Sequence, residues 1–305
     1  MLPTILTSII RTRYPIIQGG MAYISDTRLA SAVSNAGGLG VIASGHLTGE
    51  ELRAEVKAVR KLTKNPFGVN IMLRSPNADF AARVVIEEKV PVVTTGAGSP
   101  SAYIKEWLTA GITVIPVVAS AAHAKLMERR GASAVIAEGS EAGGHVGELT
   151  TMTLLPQVVD CVNIPVVAAG GISDGRQAAA AFVLGAAGIQ AGTKFLTAKE
   201  CNVHENYKKR ILSAKDIDSI VIGKTLGCSV RCLKTSFSRK ILELENAGKI
   251  ISAEDFIKLY REGFRRAAIN GDEENGLFIA GQAAGMIKAE QTTAEIVGNL
   301  LDVGQ

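Results

Sequence analysis

Two stretches of the chain have the same form: Pro165-Val-Val-Ala-Ala-Gly-Gly-Ile172 and Gly188-Ile-Gln-Ala-Gly-Thr-Lys-Phe195. Each predicts a short buried strand that ends abruptly, at Gly170-Gly171 or at Gly192-Thr193, shortly before a helix. Glycine lets the backbone turn sharply and lets bare N–H groups come close to a ligand. The N–H groups at the start of a helix attract anions. The two turns together therefore predict a phosphate site.

Apolar runs bounded by turn residues alternate with helical segments along the chain. They begin near Ile16, Leu39, Phe67, Val92, Thr113, Ala134, Val166 and Ile189. Such alternation predicts βα units in a parallel sheet. Eight units match a TIM (β/α)8 barrel, in which the loops after strands seven and eight hold phosphate. An open doubly wound sheet is the alternative, but Gln18-Gly19-Gly20-Met21 after the first strand is not its GxGxxG fingerprint.

Residues 198–280 interrupt this alternation. Helices are predicted over 202–212, 237–245 and 252–268, and the stretch is too long for a loop. We predict a small, mainly helical appended domain over 198–280. The barrel is then formed by residues 1–197 and 281–305.

The composition is that of a soluble globular protein with a large core. Of 305 residues, 47% are apolar and 20% are charged. No apolar stretch is long enough to span a bilayer, and Met1–Ile10 lacks the features of a signal peptide. The four cysteines show no CxxC and no zinc spacing. We therefore expect a cytoplasmic protein with reduced thiols, no metal site and no membrane contact.

Positive charge is concentrated in one segment. Residues 207–240 contain nine Lys or Arg and two Asp, whereas the whole chain has a formal net charge of +4. Such a segment is either a solvated helical face or a docking surface for an acidic partner. No stacking aromatic residues accompany the basic ones, so nucleic acid is not an expected partner.

Two polar residues stand at the predicted carboxyl ends of strands, where barrel enzymes place their chemistry. Asn70 lies in the apolar run Phe67-Gly-Val-Asn-Ile71, and its amide needs partners either within the barrel or on a ligand. Glu138 ends the apolar run Ala134-Val-Ile-Ala137. A carboxylate there must be paired or bound to a ligand, because burying it alone is costly.

His145 is the best candidate for a polar catalytic group. Two glycines precede it and Gly147 follows, which allows its loop to approach a ligand closely. His46 follows the second strand and is a weaker candidate. His123 lies in a predicted helix and His204 in a polar segment, so we expect both on the surface.

In combination, the motifs resemble the FMN barrels of the nitronate monooxygenase and enoyl-ACP reductase II superfamily. The segments that carry this resemblance are Pro15–Ala22, Gly68–Ile71, Glu141–His145, Ala168–Ile172, Gly192–Thr193 and Ala280–Ala284. Other segments look more like the FabK-type enoyl-ACP reductase branch, namely Val93–Gly98, Leu149–Thr153, Ala198–Lys208 and Lys215–Asp218. Ala43-Ser44-Gly45-His46 departs from the glycine-rich turn expected in that branch.

The resemblance implies that FMN passes hydride from NADH or NADPH to the β-carbon of a trans-2-enoyl thioester on acyl carrier protein. By analogy, His145 would lie near the flavin and the thioester and would polarise the carbonyl or relay a proton. The residues implied to hold the phosphate are Gly170, Gly171, Gly192 and Thr193. Those implied to line the rest of the cofactor are Gly20, Met21, Ala22, Asn70 and Glu138.

The resemblance also implies a homodimer and makes acidic acyl carrier protein a candidate partner for the basic segment. An FMN-dependent nitronate monooxygenase that uses O2 is the alternative, since its histidine occupies the same position. A barrel for another phosphorylated ligand, such as a purine nucleotide dehydrogenase, would need a cysteine that residues 138–151 lack. A non-catalytic FMN-binding protein would have no need of His145 and its glycines.

Overall fold

A computed structural model describes residues 4–249 and 252–302. Eight parallel strands form a TIM barrel, as predicted. In chain order the strands are β1 Ile16–Gln18, β2 Gly40–Ala43, β3 Phe67–Met72, β4 Val92–Gly96, β5 Thr113–Val118, β6 Val135–Glu138, β7 Gly144–His145, β8 Val166–Ala169, β9 Gly188–Ala191, β10 Ser219–Ile222 and β11 Val230–Leu233. The barrel strands run in the order β1-β9-β8-β6-β5-β4-β3-β2. A parallel bridge between Ile17 and Leu39 joins β1 to β2.

The described residues contain twelve α-helices, and most of them pack on the outer face of the barrel. They are α1 Ile5–Ile10, α2 Thr27–Asn35, α3 Gly49–Leu62, α4 Ala78–Glu87, α5 Ile104–Thr109, α6 Ala121–Arg129, α7 Thr151–Val159, α8 Gly175–Val183, α9 Glu205–Leu212, α10 Ser236–Asn246, α11 Ala253–Arg265 and α12 Thr293–Leu301. The predicted capping box of Thr48 and Glu51 begins α3. Among the described residues, no helix is both long enough and apolar enough to cross a membrane.

The interior of the barrel is closed at one end. Leu6 and Ile10 of α1 pack with strand residues such as Ile17, Val41 and Ile136 in a separate apolar cluster inside the barrel. Burying these side chains stabilises the closed end through the hydrophobic effect. The carboxyl ends of the strands lie at the other end, where a site can form.

The segment predicted to be mainly helical also contains a β-hairpin. Its helices α9, α10 and α11 agree with the predicted ones, but β10 and β11 were not predicted. The two strands pair antiparallel with each other, and β11 pairs with the short strand β7. Apolar runs of four residues do not distinguish a strand from a piece of helix, so local pattern missed this sheet.

The division into domains stays a prediction, and parts of it lie outside the described residues: 1–3, 250–251 and 303–305. The four cysteines are free thiols, and Cys201, Cys228 and Cys232 are buried.

Candidate active site

A cavity of about 470 Å³ lies at the carboxyl ends of the barrel strands. All ten residues proposed from the sequence line it: Gly20, Met21, Ala22, Asn70, Glu138, His145, Gly170, Gly171, Gly192 and Thr193. Parallel strands bring their carboxyl ends to the same side of the barrel, so residues far apart in the sequence meet there. Their separate roles are still predictions, but they share one cavity.

The two glycine turns present free hydrogen-bond donors. The N–H groups of Gly171 and Gly192 donate to no acceptor within residues 4–249 and 252–302. Gly170 has a φ of 98°, and a Cβ on it would lie 2.8 Å from Thr151 Oγ1. A side chain there would meet both steric overlap and an unfavourable backbone conformation. The geometry suits a phosphate group, which needs several N–H donors close together.

A carboxylate that was not among the predicted site residues holds the turn after β8 in place. Glu141 accepts hydrogen bonds from the backbone N–H of Thr151 at 2.9 Å and from its hydroxyl at 3.0 Å. The same hydroxyl lies 3.1 Å from the carbonyl oxygen of Gly170. Glu141 therefore satisfies the start of α7, where Thr150 makes no side-chain cap, and ties the loop after β6 to the turn after β8.

The amide of Asn70 has one partner within the barrel and one nitrogen left for a ligand, so both alternatives that the sequence left open apply. Its Oδ1 accepts a hydrogen bond from Thr94 Oγ1 at 3.0 Å within the barrel. In the part of the chain that the structure describes, its Nδ2 has no partner, and the residue lines the cavity. The side chain also packs against Gly20, where an added Cβ would overlap Asn70 Cβ. Asn70 thus presents a positioned N–H donor to a ligand.

Glu138 has its carboxyl group in the cavity and forms no hydrogen bond or ion pair with any described residue. Burial raises the pKa of this carboxyl to about 7, because the charged form loses contact with bulk water. Near neutral pH the group is therefore present both as an acid and as a carboxylate. It can donate or accept a hydrogen bond, depending on what it meets in the cavity.

The appended hairpin places His145. His145 pairs with Val230 of β11, and the N–H of Val146 donates to Ser229 O at 3.1 Å. The guanidinium of Arg231 reaches across the same sheet and donates to Ser140 O at 2.8 Å. The hairpin therefore converts a glycine-rich loop into a short strand that holds His145 beside the cavity.

The surroundings of His145 favour the neutral form of its imidazole. Burial lowers its pKa, and the positive charges of Arg74 and Arg261 lower it further. The ring lies 5.3 Å from the Tyr260 ring in an edge-on arrangement. A neutral imidazole carries one donor and one acceptor nitrogen, which allows it to bind an oxygen atom or to move a proton.

The family model for nitronate monooxygenase matches residues 3–83 and 77–302, which together cover nearly the whole chain. The chain belongs to this family.

The chain is similar to proteins that carry three different functional names. FabK from Thermotoga maritima is 47% identical, with a TM-score of 0.95 over 99% of this chain and 96% of that structure. A Rhodococcus jostii protein named as a 5-hydroxy-7a-methyl-1-oxo-octahydro-1H-indene-4-carboxyl-CoA dehydrogenase is 39% identical over 82% of this chain and 70% of its own length. A Staphylococcus aureus protein named "Probable nitronate monooxygenase" is 32% identical over 97% and 96%. This chain is an oxidoreductase, as predicted.

Three residues that were not predicted for the site also line the cavity. Tyr260 and Phe264 of α11 are buried and line it, as does Gln190 of β9. Tyr260 and Phe264 are four residues apart on an amphipathic helix, and that spacing marks them as one face but not what the face covers.

The expectation that His123 is a surface residue was wrong. It lines the cavity, is partly buried, and burial lowers its pKa. Its backbone N–H donates to the Ser120 cap at 3.2 Å, so it belongs to the first turn of α6. A helix that follows a barrel strand begins at the carboxyl end of that strand, which is why its first turn meets the cavity.

The other two histidines have structural contacts. His46 lies outside the cavity lining; its Nδ1 accepts from the N–H of Tyr23 at 3.2 Å, and the two rings are 4.6 Å apart. His204 accepts from the N–H of Asn206 at 3.1 Å and caps α9. Within the described residues, no group of three or more His, Cys, Asp or Glu could hold a metal ion.

Proposed function

We propose that the protein is an FMN-dependent enoyl-[acyl-carrier-protein] reductase that oxidises NADH or NADPH and reduces a trans-2-enoyl thioester. The observation that carries the proposal is the 47% identity to FabK over 99% of the chain, at a TM-score of 0.95. Family membership alone does not separate this activity from nitronate oxidation, because both use a histidine at this position.

The residues of the cavity fit FMN. The free N–H groups of Gly171 and Gly192 would bind its phosphate, with Gly170 and the Thr193 hydroxyl beside them. Asn70 Nδ2 and the Glu138 carboxyl are unsatisfied polar groups that a flavin ring or ribityl chain would satisfy. The backbone of residues 20–22 forms the adjoining wall. When bound, FMN supplies a carrier for two electrons between the nucleotide and the thioester.

His145 would bind the thioester carbonyl oxygen through its N–H. When hydride adds to the β-carbon of the enoyl group, negative charge develops on that oxygen, and a hydrogen bond to it becomes stronger. The same imidazole can then relay a proton from solvent to the α-carbon, taking up one proton at its acceptor nitrogen as it releases the other. The lowered pKa favours the neutral ring, and the aromatic side chains of Tyr260 and Phe264 form part of the cavity wall near it.

The basic segment would receive the acyl carrier protein. Some of its nine cations are already engaged: Lys208 with Glu290, Lys209 with Glu205, and Arg210 with Glu273. Others are exposed and form no ion pair with any described residue, namely Lys215, Lys224, Arg239 and Lys240. Unpaired cations can attract an acidic partner and orient it during association.

The second candidate function is an FMN-dependent nitronate monooxygenase that uses O2. The family model and the 32% identical Staphylococcus aureus protein favour it. In that reaction a neutral His145 would act as the base that removes a proton from carbon.

Steady-state turnover of FMN-loaded protein separates the two functions. We expect NADH or NADPH to be consumed only when crotonyl-acyl carrier protein is added, with butyryl product formed in equal amount. Oxygen uptake with an alkyl nitronate and no nucleotide would instead support the monooxygenase.

A homodimer and a cytoplasmic location also stay predictions. Light scattering of the purified protein measures the oligomeric state directly, and we expect twice the monomer mass of 32.0 kDa.

A further inference from the structure

Two arginines from distant parts of the chain meet near the rim of the cavity. Arg74 lies in the loop between β3 and α4 and is exposed, and Arg261 lies on α11 and is partly buried. Nη2 of Arg261 is 3.4 Å from the carbonyl oxygen of Arg74. Their near neighbours Met72 and Tyr260 line the cavity. Arg74 and Arg261 are therefore adjacent to the cavity wall on the side of α11.

Neither guanidinium has a carboxylate partner within residues 4–249 and 252–302. Only some of the other described arginines have one: Arg53 pairs with Glu87, Arg210 with Glu273, and Arg176 with Asp174 at 2.6 Å. An anion that contacts both guanidiniums would be attracted by each of them. The pair is thus a cationic site whose natural counter-ion is not supplied by the described part of the chain.

The charge of this pair acts on the candidate catalytic group. Both arginines are close enough to His145 to lower its pKa. An anion held by them would therefore lie on the same side of the cavity as His145. It would stay at the hydrated entrance, while the apolar part of the same molecule enters the cavity beside Tyr260 and Phe264.

We propose that Arg74 and Arg261 bind a phosphate group of the substrate whose reactive end reaches His145. Arginine suits this task because its planar guanidinium donates two parallel hydrogen bonds to phosphate oxygens. Two molecules of the proposed reaction carry such a group: the acyl thioester, on its phosphopantetheine arm, and the nicotinamide nucleotide. The identity of the substrate rests on the proposed function; the phosphate site itself does not.

The test compares two double variants of the FMN-loaded enzyme that lose the same charge. Arg74→Ala/Arg261→Ala removes the site, and Arg129→Ala/Arg130→Ala removes two exposed arginines at the far end of α6. Crotonyl-CoA carries phosphate, whereas crotonyl-N-acetylcysteamine does not. We expect the first variant to raise KM for crotonyl-CoA about tenfold, the effect of two exposed charge-assisted contacts, and to leave KM for crotonyl-N-acetylcysteamine unchanged.

The other results assign or overturn the site. A rise confined to KM for NADH or NADPH would support the phosphate site and assign it to the nucleotide. Equal effects on both thioesters, or no effect on any substrate, would overturn the proposal.

A binding measurement keeps this test separate from the proposed activity. If no thioester is reduced, calorimetric titration of the FMN-loaded protein with CoA, with NADPH and with pantetheine, which lacks phosphate, still reports on the site. We expect Kd for at least one of the two phosphorylated ligands to weaken about tenfold in Arg74→Ala/Arg261→Ala relative to the control. Unchanged binding of both would overturn the phosphate site, whatever reaction the enzyme catalyses.

Discussion

Replacing Glu138 by glutamine should stabilise the flavin-free protein, and more so at high pH. The folded-state pKa of this carboxyl is about 7, raised from 4.5 by burial. The folded state therefore binds a proton more tightly than the unfolded state, and stability falls as pH rises from 4.5 through about 7. Glutamine has nearly the same shape and cannot ionise, so the variant escapes this loss.

The two pKa values set the size of the effect. Between about pH 5 and about pH 8.5, ionisation of Glu138 should lower the free energy of unfolding by about 2.5 kcal/mol. For a chain of this size, that corresponds to a change in Tm of about 4 °C. This is an upper value, since the carboxyl faces a cavity that water can enter.

Thermal unfolding of flavin-free protein at the two pH values measures the effect. We expect the Tm of Glu138→Gln to exceed that of the unmodified protein by about 4 °C more at the higher pH. Glu243→Gln removes an exposed carboxyl of α10 and serves as the matched control. A difference in Tm that is the same at both pH values would refute the assignment of Glu138 as a buried, unpaired carboxyl.

Three further predictions concern the cofactor, the imidazole and the partner. Gly170→Ala should weaken FMN affinity about tenfold or more, because a Cβ would overlap Thr151 and the backbone conformation is costly for alanine. Flavin fluorescence during dialysis measures the affinity, and an unchanged value would contradict the predicted phosphate site. His145→Gln should lower kcat about 10² to 10³-fold with FMN still bound. In the unmodified enzyme, activity should fall on the acid side only below the ordinary histidine pKa of 6.5, since burial lowers the pKa of His145; a fall that begins well above it would exclude this imidazole as the titrating group. Arg239→Glu/Lys240→Glu should raise KM for crotonyl-acyl carrier protein roughly tenfold and leave KM for crotonyl-CoA unchanged. Equal effects on both substrates would refute the proposal that the basic segment is a docking surface.

The barrel could be predicted because each of its strands is marked locally. Short apolar runs such as Val166–Ala169 stop at glycine or a polar residue, and the eight predicted starts fall within one residue of the observed ones. The fold then places the ends of these strands together, so residues as distant as Asn70 and Thr193 could be assigned to one cavity.

The contribution of the appended segment could not be predicted in the same way. The pairing of His145 with Val230 joins residues that are far apart in the sequence, and no local periodicity encodes such a register. Likewise, the spacing of Tyr260 and Phe264 indicates an apolar face, but only the packing of α11 shows that it covers the cavity. Glu141 was missed because its role depends on where α7 begins.

The central claim is that this cavity carries electrons from a nicotinamide nucleotide to an enoyl thioester. The most direct test mixes FMN-loaded protein with NADH, then NADPH, without oxygen, and follows the flavin absorbance before and after crotonyl thioester is added. We expect rapid loss of the absorbance with one nucleotide and its return with the thioester, with one butyryl product per flavin. No loss with either nucleotide, together with rapid loss on addition of an alkyl nitronate, would contradict it.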